Sequence, residues 1–216
     1  YRESMNNFAY NVYKELGNEN LSFSPIGLYS NLNIVSLASD NEIVLNQIDN
    51  VLGLNKEKRK ENFLNMNRSN FFIKEEGTLQ TYNAVFQSNR WNYNQEFIDD
   101  LTSHNVESYS LDFNKNVDIN KMLDYIDDTL NERNYFSKKE LEINEDTALY
   151  FMTSLYFDNE WNSKYREDNN YDAEFYNLNG NNVTREYMRH TIQYPIYIYD
   201  KYVSVYDYYK NNMKVQ

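Results

Sequence analysis

The sequence predicts an α+β fold, helices packed about a β-sheet, and three stretches predict it. Asn20 to Leu54 reads as a short strand, a break at Ser24-Pro25, and two apolar-striped helices that end at Gly53. Thr147 to Trp161, TALYFMTSLYFDNEW, is a long aromatic-rich apolar run between polar segments, the pattern of a buried central strand. Val117 to Asn134 returns to helical spacing, with Ile119, Met122, Leu123, Ile126 and Leu130 on one face.

The remaining elements follow from the same periodicities. Tyr1 to Leu16 is an amphipathic helix with Met5, Phe8, Ala9, Val12 and Leu16 on one side and Gly17 as its stop. In the helix after it, Leu28, Leu32 and Val35 recur at helical spacing, and Ile34 and Leu37 widen the predicted buried face. Ser24 is the predicted N-cap there and Pro25 the tolerated first-turn proline. Ile43, Leu45, Ile48, Val51 and Leu52 stripe the next helix. Leu79 to Arg90 alternates as a strand, with Tyr82, Ala84 and Phe86 on one side.

Composition excludes several function classes. A chain of 216 residues with 41% hydrophobic content supports one good-sized domain or two small ones. A net charge of -12 argues against a nucleic-acid partner, because phosphate contacts need a clustered basic face. No apolar run approaches the roughly 18 residues of a membrane span, so no membrane partner is expected. With no cysteine there is no disulfide framework or thiol nucleophile, and His104 and His190 alone leave little room for a zinc site or a triad. No catalytic, metal or cofactor residue is therefore assigned. The conspicuous asparagine is spread over every kind of element and reads as AT-rich coding, and in such a chain the sequons at Asn20, Asn67 and Asn182 are expected by chance.

Particular words in the chain are more specific than its periodicities. FSP at Phe23 to Pro25, followed by QIDNVLGL at Gln47 to Leu54, resembles the serpin pattern in which F-S-P opens one helix and Q-I-x-x-x-L-G-L closes the next. NFAYNVYKEL resembles the family's first helix, and YNAVF a strand of its central sheet. Phe97 to Leu101 then resembles a helix and His104 to Phe113 the strand ending V-D-F. INKML resembles the helix that lies over the front of the sheet, with Met122 where the family has tryptophan and the signature after it blurred through Arg133. SLYFDNEW resembles N-A-I-Y-F-K-G-x-W, and Phe175, Gly180, Val183 and Met188 the hairpin of a second, small sheet. Tyr194 to Tyr199 and Val203 to Tyr208 resemble the first two strands of a third, with Asp200 and Lys201 in the turn.

The resemblance implies a mixed central β-sheet with surrounding helices, spanning residues 1–216 as a single serpin-like domain incomplete at its C-terminus. It implies no enzyme but a protease inhibitor, a suicide substrate whose cut reactive loop inserts into the central sheet, if the complete protein carries that loop. No hinge, reactive loop or C-terminal signature stands in these residues, so the reactive site is not present in this chain. The implied alternative is a truncated, non-inhibitory binding or scaffold protein. Ser24, Gly27 and Thr153 fall where the family has a polar shutter beneath the parting strands, with Gly27 in place of serine and Thr153 in place of asparagine. Trp161 falls at the breach, the top of the sheet. The implied partner is a serine or cysteine protease. Lys56, Lys58, Arg59 and Lys60 form a weaker candidate for sulfated polysaccharide, against the solvated-face reading of a charge run. A secreted protein is expected, or one of a host-cell cytoplasm, from a virus or intracellular parasite.

Overall fold

The computed structural model describes residues 2–17, 22–69, 72–74, 77–132, 135–191, 195–210 and 213–215. The expectations that touch Asn20, Arg133 and Tyr194 lie outside these residues. The chain forms two compact units, Tyr1–Phe72 with Leu79–Tyr156, and Ile73–Thr78 with Phe157–Gln216.

Helices α1 (Arg2–Glu15), α2 (Pro25–Leu37), α3 (Glu42–Leu52), α4 (Lys56–Ser69), α5 (Gln95–Ser103) and α6 (Asn116–Leu130) belong to the first unit. Their ends are chemically specified. Ser24 Oγ accepts from Gly27 N–H at 3.1 Å to start α2, and Asn41 Oδ1 accepts from Ile43 and Val44 to start α3. Gly53, at φ 65°, closes α3 in the left-handed conformation that glycine adopts without strain. Strands β1 (Phe72–Lys74), β2 (Gly77–Ser88), β3 (Glu107–Leu111) and β4 (Leu149–Asn159) form one sheet in which β2 pairs with β1, β3 and β4. β2 and β3 run parallel, with Ala84 opposite Glu107 and Ser88 opposite Leu111.

The strand period of two sorts the core into two layers. Val85, Leu149 and Phe151 pack with Phe8, Tyr29, Ile34 and Phe63 of the α1–α5 side. Ala84, Phe86, Tyr150 and Met152 pack with Ile119, Met122 and Ile126 of α6. Met122, standing for the family tryptophan, is fully buried. A flexible thioether fills the gap left by the missing ring.

The predicted face of α2 is borne out at Ile34 and Leu37 and corrected at Leu28. Leu28 is 42% exposed and Leu32 and Val35 are half-buried, whereas Tyr29, Ser30, Asn33, Ile34, Ser36 and Leu37 are buried. Asn33 Nδ2 donates to Tyr29 O and Ser36 Oγ to Asn33 O, so these polar side chains are partly satisfied by their own helix and can face inward. Counting apolar residues alone misses such a face.

On the outer side of the sheet, Glu107 of β3 accepts from the phenols of Tyr109 and of Tyr125 on α6, the latter at 3.1 Å. Both rings also pack on Phe86. Burial first, then the neighbouring Glu107 carboxylate, pushes Tyr109 up to about 12 and Tyr125 higher still. A phenol that holds its proton more tightly when folded contributes stability that is complete below its unfolded pKa near 10 and is lost as pH rises through the folded value. Stability is therefore expected to fall between about pH 10 and pH 12. Ultraviolet titration of tyrosinate should show a late-titrating fraction that moves earlier in Glu107→Gln.

The second unit is built of hairpins. β5 (Tyr171–Tyr176) pairs antiparallel with β6 (Asn182–Tyr187), placing Phe175 opposite Val183, and Gly180 turns between them at φ 77°. β7 (Ile196–Ile198) pairs with β8 (Val203–Val205) around Asp200 and Lys201, and β9 (Asp207–Tyr208) with β10 (Lys214–Val215). The second predicted strand, Val203 to Tyr208, is thus divided at Tyr206, and β9 takes a different partner.

Candidate functional site

Thr153 lies on the face of β4 that carries Leu149 and Phe151, where an apolar residue would continue the pattern. Its hydroxyl is 2.8 Å from Asn83 Oδ1 on β2 and 3.1 Å from Asn31 Oδ1 on α2. Asn83 Nδ2 donates to Asn67 Oδ1 on α4 at 3.1 Å, and Asn67 Nδ2 donates to the backbone carbonyl of His104 at 2.9 Å. A line of polar groups thus passes from α2 through β4 and β2 to α4 and the turn after α5.

The direction of the protons follows from the carbonyl at the end of the line. A backbone carbonyl only accepts, so Asn67 must present its nitrogen to His104 and its oxygen to Asn83. Asn83 then presents nitrogen to Asn67 and oxygen to Thr153, whose single hydroxyl proton is committed to it. The contact with Asn31 becomes a hydrogen bond when that amide is turned with its nitrogen toward Thr153, whose oxygen remains an acceptor. Asn67 and Asn83 are 8% and 3% exposed, so each amide left unmatched would cost about 1–3 kcal/mol.

The other face of β4 is tied at the same level. Thr129 Oγ1 on α6 donates within reach of Ser154 Oγ at 3.0 Å and of Ile126 O at 3.1 Å. Neighbouring residues of one central strand therefore hold a helix on each face by hydroxyl contacts. Among the described strands β4 pairs with β2 alone. A cleft of about 330 Å³ follows β4 from Tyr150 to Leu155 and reaches Asn31 on one face and Ile126 and Leu130 on the other, so it runs along the strand's unpaired edge.

Of the predicted shutter residues, Thr153 is the centre of this network. Ser24 is exposed, and its hydroxyl caps α2 through Gly27 N–H. A Cβ built on Gly27 would meet Ser24 Oγ at 3.4 Å, ordinary contact, so a β-carbon has room there. Asn31 and Asn83 were not singled out by sequence and Asn67 only as a sequon, because nothing else distinguishes them among the many asparagines. His104 is 7% exposed, its Nδ1–H donates to Asp100 O at 2.7 Å, and its ring stacks on Phe63; it is a packing residue.

Trp161 belongs to the second unit. It bridges to Tyr209 through the backbone, stacks on that ring at 4.4 Å and meets Tyr165 edge-on at 5.8 Å. Tyr165 in turn donates to Asp207 and packs on His190.

The basic run is changed by its partners. Arg59 is 2% exposed and forms an ion pair with Asp49 of α3, and Lys60 pairs with Asp100 of α5 at 2.6 Å. Lys56 and Lys58 remain on the surface with Glu57 and Glu61 beside them. The four residues do not form one cationic face.

The chain matches the family profile described as Serpin (serine protease inhibitor) over residues 3–215. No curated protein sequence matches it. Among solved structures, reaction-loop-cleaved lamprey angiotensinogen superposes with a TM-score of 0.84 at 19% identity, over 98% of this chain and 64% of that one. Thyroxine-binding globulin complexed with a thyroxine–fluorescein conjugate gives 0.84 at 19% identity, over 99% of this chain and 67% of that one. Cleaved kallistatin complexed with heparin gives 0.83 at 18% identity, over 98% and 65%. The chain thus spans about two thirds of these relatives' length. The matched profile, which covers nearly the whole chain, and the shared fold lead to one assignment: this chain belongs to the serpin family.

Proposed function

We propose that the protein is a serpin-type protease inhibitor, and that these residues are the body into which a reactive loop, carried by the full protein, inserts. The observation that carries the reading is the Thr153 network on β4 of the central sheet, beside an edge that is unpaired among the described residues. A strand can add there by main-chain hydrogen bonds, and the polar seam lets the helices shift by exchanging hydrogen bonds instead of exposing packed apolar surface. In the proposed cycle the nucleophile of a serine or cysteine protease attacks the loop's scissile carbonyl. The new amine end leaves with a proton, and the loop inserts while its acyl bond to the protease persists. No residue of this chain acts as catalyst.

The test is incubation of the full protein with a panel of serine and cysteine proteases. A denaturant-stable complex supports the reading. Complete cleavage without complex refutes it, and then the binding or scaffold alternative stands. Gly27 and Thr153, which depart from the family's shutter, favour that alternative, as does a relative whose structure holds a thyroxine conjugate. A gain in thermal stability after loop cleavage is expected only of the inhibitor.

The polysaccharide partner is not part of the proposal, although a relative is described with heparin. With Arg59 and Lys60 held by Asp49 and Asp100, two lysines face two glutamates. The chain is expected in the flow-through of a heparin column at physiological salt, and retention into elevated salt would restore the site.

An extracellular place of action is part of the proposal. Asn182 is exposed at the start of β6 and is the sequon a secretory pathway would modify, whereas Asn67 is buried with both amide atoms hydrogen-bonded. Secretory expression should add a single glycan mass within the described residues, and Asn182→Gln should remove it.

A further inference from the structure

Four helices of the first unit meet around a cavity of about 450 Å³, formed by the end of α2, one side of α3 and the first turns of α4 and α5. Its volume lies within the range of small-molecule sites. Leu37, Leu45 and Phe97, each buried, give it an apolar wall. Arg59 also lines it. This side chain is 2% exposed, and although one terminal nitrogen meets Asp49, its Nε–H finds no acceptor among the described residues. A buried donor in that state calls for an acceptor, and the cavity is the space it borders.

The charge of the lining says what sort of molecule would bring that acceptor. Arg59 is matched by Asp49 and Lys60 by Asp100. Beyond these pairs the lining holds Asp40, Glu42 and Glu96 against Lys56, three carboxylates to one ammonium. The three acidic residues are exposed, and none has a cationic partner among the described residues. We propose that this cavity takes an organic monocation built like the amide of an apolar α-amino acid, free or as the first residue of a peptide. Its ammonium is drawn to Asp40, Glu42 and Glu96, its carbonyl accepts from Arg59 Nε–H, and its side chain lies on Leu37, Leu45 and Phe97. An anion would meet the excess of carboxylates, and a neutral ligand would forgo their attraction. A purely aliphatic amine would leave Arg59 Nε–H unmatched. None of the lining residues belongs to a strand, so the proposal is independent of the inhibitor reading.

The test is saturation-transfer NMR on the protein with L-leucinamide as the probe. Transfer is expected, with a Kd on the order of 1 mM for so small a ligand. Isopentylamine, which lacks the carbonyl, and N-acetyl-L-leucinamide, which lacks the charge, should each bind about fivefold more weakly or worse. These comparisons probe Arg59 without removing it, since its loss would disturb the fold. Leu-Gly-Gly-amide separates the two sources: affinity equal to leucinamide or better assigns the site to peptide N-termini, and weaker binding assigns it to free amines. Asp40→Asn combined with Glu96→Gln, both on exposed side chains, should weaken leucinamide about tenfold without loss of helical circular dichroism. Absence of transfer from leucinamide, equal affinity for isopentylamine or the acetylated probe, or unaltered affinity in the double variant would each overturn the site.

Discussion

Asp49→Ala is expected to lower the unfolding free energy by about 3–5 kcal/mol, more than any surface substitution in the chain. Arg59, its partner, is 2% exposed; burial lowers the guanidinium's pKa, and an arginine side chain keeps its charge inside proteins. Removing the carboxylate therefore leaves a charge in a poorly solvated place with nothing opposite it. The aspartate contributes mainly by preventing that outcome. Replacing both partners, as in Asp49→Leu with Arg59→Met, should recover most of the loss, since well-packed apolar residues often equal or exceed a buried pair. Urea unfolding followed by circular dichroism checks both, with a midpoint shift of roughly 1 M or more for the single variant at typical urea slopes. A single variant within 1 kcal/mol of the parent would mean that Arg59 escapes to solvent.

That pair also shows where sequence reasoning reaches its limit. Lys56 to Lys60 reads as a basic cluster because sequence shows which charges are adjacent along the chain, whereas Asp49 and Asp100 arrive from α3 and α5 only on folding. Many of the longer strands and helices were legible. The run at Thr147–Trp161 became β4, and alternation around Ala84 and Phe86 became β2. Ser24 and Gly53 act through neighbours within a few residues, so their roles as caps could be read directly. The buried face of α2 could not, because Ser30, Asn33 and Ser36 are polar by type yet lie inside.

The same limit applies to the site. Thr153 was legible through its place just before SLYF, while its partners are separated from it by 70 and 122 positions. What makes Asn83 different from an exposed asparagine is a pair of hydrogen bonds, a property of the fold. The fold class thus follows from periodicity, and the network from the geometry that periodicity creates.

Asn83→Leu is the substitution that tests this network most directly. It keeps the side chain near its volume but withdraws one donor and one acceptor at once. Asn67 Oδ1 and the Thr153 hydroxyl both lose Asn83 as a partner, so the expected cost is about 2–6 kcal/mol, from two groups at about 1–3 kcal/mol each. Thr153→Val should cost less, because Asn83 Oδ1 is the chief group it strands. The double variant should be more stable than the sum of the two predicts, by about 1 kcal/mol or more, since the second change removes a group the first has already orphaned. Strict additivity would show that Thr153 and Asn83 do not share a hydrogen bond in solution. A coupled loss would show that polar contacts hold the β2–β4 seam, the seam that the proposed loop insertion would have to part.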